Sequence, residues 1–301
     1  MIIAGDAAPQ SGALAELVRL AELLGAPVYD EGLASRTMFP ASHALYRGSF
    51  ARLPAVIRSI LQQYDLLVSV GGNLFTMWLP GEVESLPDGV RVVHLVTDPW
   101  ELGKNYPAQP AILGDPKVTP PELSATGSRA MTTAGRERAA RRLESARAKG
   151  IEGLARLRAA AEAACGSTPF QPLALMGAVA SMLPKNAVVI DETVSSGAGL
   201  RRLLQSDDVR SFFGMRGGGI GWGLRAAIGA KLALPERPVV ALIGDGSAMY
   251  TIQGLWTAAH EKLSVRVGDY QQQLVSYSQA ANECDEGAGS ADRSVCRHGA
   301  Q

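Results

Sequence analysis

The chain has 301 residues, 47% of them hydrophobic and 19% charged. That length suits about two domains, and that composition builds packed cores rather than a disordered polymer. Lys plus Arg number 29 and Asp plus Glu number 29, so the formal net charge is zero. A balanced chain offers no electrostatic reason to expect nucleic acid or an anionic membrane as a partner. Three cysteines, two of them near the C-terminus, make no disulfide framework, and the start MIIAGDAAPQSG lacks the pattern of a signal peptide. The longest apolar runs, such as Pro238–Ile243, are far too short to span a bilayer. The expectation is a cytoplasmic α/β protein.

In chain order, short apolar runs alternate with amphipathic stretches, the pattern of β–α units around a parallel sheet. Met1–Ala4 reads as a strand ending in Gly5-Asp6. Gly12–Leu24 reads as a helix, Ala26–Tyr29 as a second strand and Leu53–Gln63 as a helix. Asp65–Val70 is a buried strand ending in Gly71-Gly72, for which a tight turn is the favoured reading. Val90–Val96 ends in Thr97-Asp98-Pro99, and Ile112-Leu113 is a last, edge strand. Thr119–Ser128, with Pro120-Pro121, reads as a boundary. Ala134–Ala164 is Arg/Glu/Ala-rich and reads as a solvated connecting helix interrupted at Gly150.

A second α/β unit starts near Thr168. Leu173–Met182 is a helix, Ala187–Ile190 a strand ending in Asp191-Glu192, and Leu224–Leu234 a helix preceded by the glycine-rich MRGGGIGWG. Pro238–Ile243 runs straight into Gly244-Asp245-Gly246-Ser247, followed by a helix over Tyr250–Glu261. Here lies the chemistry. An apolar strand delivers an Asp between two glycines to the carboxyl edge of a sheet, where α/β proteins bind ligands. Glycines let backbone amides approach an anion, and an Asp can hold a divalent metal that shares phosphate oxygens. Gly-Asp-Gly alone is an ordinary turn. Its company is Gly217-Gly218-Gly219-Ile220-Gly221 and Asp191-Glu192-Thr193-Val194-Ser195-Ser196-Gly197 at two further strand ends, and all three would converge on one crevice suited to a diphosphate and a metal.

From Met1 to about Val265 the chain resembles the thiamine-diphosphate-dependent 2-oxo acid decarboxylase and acetolactate synthase superfamily, in particular its benzoylformate decarboxylase-like members. The string GGGIGWGLRAAIGAKLALPERPVVALIGDGSAMYTIQGLWTAAHEKLSV carries the likeness, with TDPWELGKNYP earlier in the chain. The resemblance implies two parallel-sheet α/β units: a central domain over 1–123, a linker with a connecting helix over 124–167, and part of a diphosphate-binding domain over 168–265. It implies thiamine diphosphate and Mg²⁺ as cofactors. Asp245 would be the metal ligand, with Gly244, Gly246 and Ser247 beside the diphosphate. Ser195 and Ser196 match the hydroxyl region that contacts phosphate. Gly218 matches the residue whose carbonyl accepts from the cofactor's 4′-amino group, and Ile220 the apolar residue that props the cofactor in its bent form. The partners implied are a 2-oxo acid substrate and further copies of the same chain, as a dimer of dimers, without nucleic acid or membrane.

Two departures bear on catalysis. No residue maps onto the family's Glu that protonates the aminopyrimidine ring, so no catalytic residue is assigned, and Trp78 stands where benzoylformate decarboxylase-like members carry an active-site His. His43, His94, His260 and His298 match no motif. The likeness also stops after Leu263-Ser264-Val265, where an Asn-Asn pair should complete the metal site. Asp269-Tyr270-Gln271-Gln272-Gln273 is encoded GAY-TAY-CAR-CAR-CAR. Read one base later this gives Thr/Ile, Thr/Ile, Asn/Ser, Asn/Ser, so Thr-Ile-Asn-Asn is available in the shifted frame. The reading is a frame change near Arg266, with 266–301 an out-of-frame, disordered tail, and an incomplete chain that is inactive alone. A non-catalytic partner that docks on a full-length family member is the alternative, and a central-domain nucleotide binder comes last.

Overall fold

The computed structural model describes residues 1–32, 35–50, 52–75, 81–168 and 170–270. The first unit contains β1 (Ile2–Ala4), α1 (Ala7–Gln10), α2 (Leu14–Leu24), β2 (Val28–Asp30), β3 (Tyr46–Ser49), α3 (Pro54–Leu61), β4 (Leu66–Val70), β5 (Arg91–Val96), β6 (Ala111–Leu113) and α4 (Thr119–Ala130). Its six strands form one sheet in the order β3-β2-β1-β4-β5-β6, every pair parallel. The long α5 (Thr133–Ala163) leads to α6 (Pro172–Met182), β7 (Val188–Glu192), α7 (Leu200–Leu204), β8 (Phe212–Gly214), α8 (Gly223–Ala233), β9 (Val239–Gly244), α9 (Asp245–Met249), α10 (Gly254–His260) and β10 (Val265–Tyr270). These strands form a second parallel sheet, β10-β9-β7-β8. The two parallel α/β units stand as the residues predict.

The strands are apolar at successive positions because helices cover both faces of each sheet. In β1, Ile2 and Ala4 join one cluster with Leu17, Leu20 and Val28, while Ile3 and the preceding Met1 join another with Ile57, Leu61 and Leu67. In β9, Val240 and Leu242 pack with Met176 and Leu203, whereas Val239, Ala241 and Ile243 pack with Ile190 and Leu224. Each Val, Leu, Ile or Met side chain among them, fully buried, stabilises by about 1.5–3 kcal/mol.

Four segments that the sequence reading assigned differ from that assignment. Thr119–Ser128 is helical, because Pro120 and Pro121 occupy the first turn, where proline's missing N–H costs nothing. Helix α5 runs through Gly150 for 31 residues, about 46 Å. Gly150 is buried, and a Cβ there would overlap the Ala44 carbonyl oxygen. The glycine therefore serves close packing of α5 on the loop before β3. The single helix expected over Tyr250–Glu261 is α9 followed by α10, with a turn between. Finally, residues 266–270 are not disordered: Val265–Tyr270 pairs in parallel with Val239–Gly244. A β ladder is made by backbone groups, and β9 presents an edge there; Val265 also packs on the β7/β9 cluster. Residues 271–301, with Cys284, Cys296, His298 and the codons proposed to hide Asn-Asn, lie outside the described residues, as does Trp78.

The two units are joined by more than α5. The segment after β2 runs along the second unit: the Ala41 amide donates to Ser206 O at 3.2 Å, and the Ser42 amide and hydroxyl donate to Asp207 at 3.0 and 2.6 Å. Buried Arg201 of α7 donates to Phe39 O at 3.0 Å and lies 3.5 Å from Asp30 at the end of β2. Asp30 also accepts from Tyr46 Oη at 2.6 Å. Burial pushes the Asp30 carboxyl up from 3.8 to about 6, against the opposing pull of Arg201 and the Tyr46 hydrogen bond. A carboxyl whose folded pKa is raised binds its proton longer in the folded state. Its folded form is therefore favoured below about pH 4 and progressively disfavoured as pH rises from about 4 to 6. Asp30→Asn is expected to remove this downward slope of unfolding free energy, relative to the parent, in denaturant titrations at pH 4, 5, 6 and 7.

Candidate active site at the carboxyl edge of the second sheet

All strands of the second sheet are parallel, so β7, β8 and β9 deliver their carboxyl ends to one edge. In the order β9-β7-β8 these three are contiguous. Asp245 follows β9 and the glycine loop follows β8, so β7, with Asp191-Glu192, lies between them. The expectation that Asp245 and Gly218 lie at neighbouring strand ends is therefore not met, because β7 separates the two strands that precede them.

Asp245 is half-buried, and one of its carboxylate oxygens accepts from the Gly246 amide at 2.8 Å. A Cβ at Gly244 or Gly246 would meet nothing within 4 Å, so this turn is open on the side away from the backbone. Ser247 is buried in the first turn of α9. Across the edge, Gly218 takes φ +72°, a conformation that glycine adopts without strain. Gly217 and Gly219 likewise face open space, and Ile220 is 39% exposed, a large apolar side chain held out from the core. Ser196 is buried, with its amide donating to Thr193 O at 3.0 Å. Ser195 is half-buried in the same turn. The edge thus gathers Ser195, Ser196, Gly218, Ile220, Gly244, Asp245, Gly246 and Ser247 around three strand ends.

Glu192 holds this edge together and was not singled out by sequence reasoning. It is 1% exposed at the end of β7, and its two carboxylate oxygens accept from the Gly221 and Gly223 amides. On the other side of that loop, Thr251 Oγ1 donates to Gly221 O at 2.9 Å. Gly221 takes φ +88°, and a Cβ there would sit 2.6 Å from Tyr250 Cβ. The strand β7, the glycine loop and the turn after α9 are therefore one hydrogen-bonded unit. Neighbouring Asp191 is half-buried, and desolvation raises its carboxyl pKa against two hydrogen bonds from Thr193.

The open glycine turns suit a diphosphate, and Asp245 suits a divalent cation. Among the described residues no group of three or more His, Cys, Asp or Glu side chains is placed to hold a metal. A cleft of about 1070 Å³ lined by Arg158, Glu162, Lys185 and Asp208 also borders Ala187 and Ser211, which precede β7 and β8. It sits at the opposite, amino edge of the sheet, away from these groups. Of the histidines, His94 is buried on β5 with Nε2 2.8 Å from Gly72 O, and burial lowers its pKa. His43 and His260 lie outside the edge, and Trp256 stacks on His260 at 4.8 Å.

The family profile "Thiamine pyrophosphate enzyme, central domain" matches residues 1–123, and "Thiamine pyrophosphate enzyme, C-terminal TPP binding domain" matches residues 195–267. The chain belongs to the thiamine pyrophosphate enzyme family. Benzoylformate decarboxylase of Pseudomonas aeruginosa is 32% identical over 251 residues, 82% of this chain and 43% of that protein. A probable acetolactate synthase large subunit of Methanococcus aeolicus is 26% identical, over 88% of this chain and 45% of that protein. The thiamine diphosphate-dependent 4-hydroxybenzoylformate decarboxylase of Rhodococcus jostii superposes with a TM-score of 0.72 at 25% identity, covering 96% of this chain and 51% of that one. The chain spans about half the length of these relatives. The second profile ends at residue 267, inside β10, close to where the sequence likeness breaks off. No described helix is long and apolar enough to cross a membrane.

Proposed function

We propose that this chain is part of a thiamine-diphosphate- and Mg²⁺-dependent 2-oxo acid decarboxylase or carboligase of the benzoylformate decarboxylase-like kind. The observation that carries the reading is the convergence of three strand ends, with half-buried Asp245 between two open glycines facing the Gly217–Gly219 loop across β7. Asp245 would hold the metal, and the amides and hydroxyls of Gly244, Gly246, Ser247, Ser195 and Ser196 would receive the diphosphate. Gly218 would offer its carbonyl to the aminopyrimidine and Ile220 its apolar side chain to the bend between the rings. When bound, the thiazolium ring of the cofactor supplies the electron sink for loss of CO₂ from a 2-oxo acid. The chain's own contribution is to bind and orient; Glu192 keeps the loop in place.

Mg²⁺ takes near-octahedral oxygen coordination. Asp245 supplies one carboxylate, and the family's Asn-Asn element would supply more. β10 has the register of the strand that should deliver it: Tyr270 pairs with Gly244, one residue before Asp245. The shifted frame over codons 269–273 has room for Thr-Ile-Asn-Asn at this place. We therefore read the chain as inactive alone, acting on 2-oxo acids only within a longer homo-oligomeric, cytoplasmic enzyme. Sequencing codons 266–273 tests the frame change: second and third codon bases incompatible with Asn in the shifted frame would refute it. A second reading, a non-catalytic partner that docks on a full-length relative, is favoured by Met249, Tyr250 and Trp256, exposed by 68%, 65% and 69% beside the site. Native mass spectrometry with a full-length relative separates the two: a stable mixed assembly without gain of decarboxylation by the mixture supports docking alone.

A further inference from the structure

The glycine loop of the second unit is clamped at one end by Glu192 and Thr251, as described. Its other end is clamped by the first unit. Arg216 immediately precedes Gly217, and its guanidinium donates to Asp6 Oδ2 and, at 3.4 Å, to Asn73 Oδ1. Asp6 is 3% exposed at the carboxyl end of β1. It is oriented by Ser35, whose amide and hydroxyl donate to Asp6 Oδ1 at 3.1 and 2.5 Å. Glu31, which accepts from the Asn73 amide at 3.0 and 2.9 Å, adds a second negative charge near Arg216. The receptor is thus built from the ends of three strands of the first sheet: β1, β2 and β4.

Two glycines make it possible. A Cβ at Gly5 would overlap the backbone of Gly72, and one at Gly71 would press on Ala7 and Ala8. The ends of β1 and β4 therefore touch, which sets Asp6 beside Asn73. The same region grips β8 by a second contact, since the Gly214 amide donates to Ser35 O at 3.1 Å and Arg36 bridges to Phe213. Between the clamps at Arg216 and Gly221 lie Gly217–Ile220, all exposed, with Gly217 and Gly219 facing open space.

We propose that Asp6, oriented by Ser35 and acting through Arg216, is a positioning residue that lets the first unit set the conformation of the Met215–Gly221 loop. The importance of this for cofactor binding rests on the function proposed above; the positioning itself does not. A glycine-rich segment has many accessible conformations, and a charge-assisted hydrogen bond to a buried carboxylate is a strong way to select one.

Trypsin tests it, because the bond between Arg216 and Gly217 is itself a cleavage site that the ion pair shields. In native-state proteolysis of the intact chain without cofactor, Asp6→Asn is expected to speed cleavage at Arg216 by about tenfold or more, the scale of one charged hydrogen bond. Cleavage at exposed Arg156 on α5 should keep its parent rate. Arg216→Lys, which retains a cation for Asp6, should cleave at close to the parent rate. Ser35→Ala, which keeps the carboxylate but loosens it, should accelerate cleavage less than Asp6→Asn, and it serves if the latter does not fold. An unchanged rate at residue 216 in both Asp6→Asn and Ser35→Ala, or an equal increase at Arg216 and Arg156, would overturn the proposal. Failure of thiamine diphosphate to bind any form of the protein would instead remove the functional reading and leave the proteolysis result standing.

Discussion

Glu192→Ala should cost about 3–5 kcal/mol of unfolding free energy, measured by urea titration. The substitution leaves the Gly221 and Gly223 amides, which Glu192 now receives at a 1%-exposed position, without their acceptor. Each buried donor stripped of its partner costs about 1–3 kcal/mol, and a small cavity adds to that. Glu192→Gln is informative beside it. The amide keeps one oxygen acceptor but turns an N–H₂ toward one of two backbone N–H groups, so roughly half of the loss should remain. A loss below about 1 kcal/mol for Glu192→Ala would mean that the glycine loop does not depend on this carboxylate.

Gly150→Ala should be nearly as damaging, although alanine is the better helix former by about 1 kcal/mol. The added methyl would overlap the Ala44 carbonyl oxygen and crowd Arg47, which donates to Ala44 O at 2.8 Å. Backbone is the obstacle, so α5 itself must move. Overpacking of this kind costs about 1–3 kcal/mol or more, and here it also threatens the Arg202 hydrogen bond to Gly150 O at 2.9 Å. Gly127 in α4 is the control: a Cβ there meets nothing within 4 Å, and Gly127→Ala should stabilise by about 0.5–1 kcal/mol. Thermal unfolding of the two variants should therefore shift in opposite directions.

Gly150 also illustrates what a sequence conceals. A glycine in an Arg/Glu/Ala-rich helix looks like an interruption, because its reason is a carbonyl of another segment. The apolar strands and their Gly or Asp ends were legible, since β1 and β9 are continuous apolar runs, and β4, β5 and β7 are mostly apolar, all bounded by turn residues. The strands β3, with Arg47-Gly48-Ser49, and β8, three residues long, carry no such pattern; they are held by pairing with β2 and β7. The motif residues Gly218, Asp245 and Ser195 could be picked out because their neighbours in sequence announce a turn at a strand end. Glu192, Asp6 and Arg216 could not be assigned their partners, because an ion pair between positions 6 and 216 leaves no local trace. β10 was obscured for another reason: the end of the family likeness argues about coding frame, whereas a ladder needs only backbone and a free edge.

Calorimetric titration of thiamine diphosphate in the presence of Mg²⁺ tests the central claim most directly. It should be run on this chain and on a protein in which the frame after Arg266 is restored and the half of its relatives not spanned here is joined to it. The chain alone is expected to bind weakly and to release no CO₂ from 2-oxo acids, because a single carboxylate holds a strongly hydrated cation poorly and two phosphates then bring unshielded charge. The restored protein is expected to bind the cofactor only with Mg²⁺ and to decarboxylate a 2-oxo acid, and Asp245→Ala in it should abolish the metal-dependent binding. Tight binding with turnover by the chain alone, or undiminished binding by the restored Asp245→Ala protein, would contradict the account.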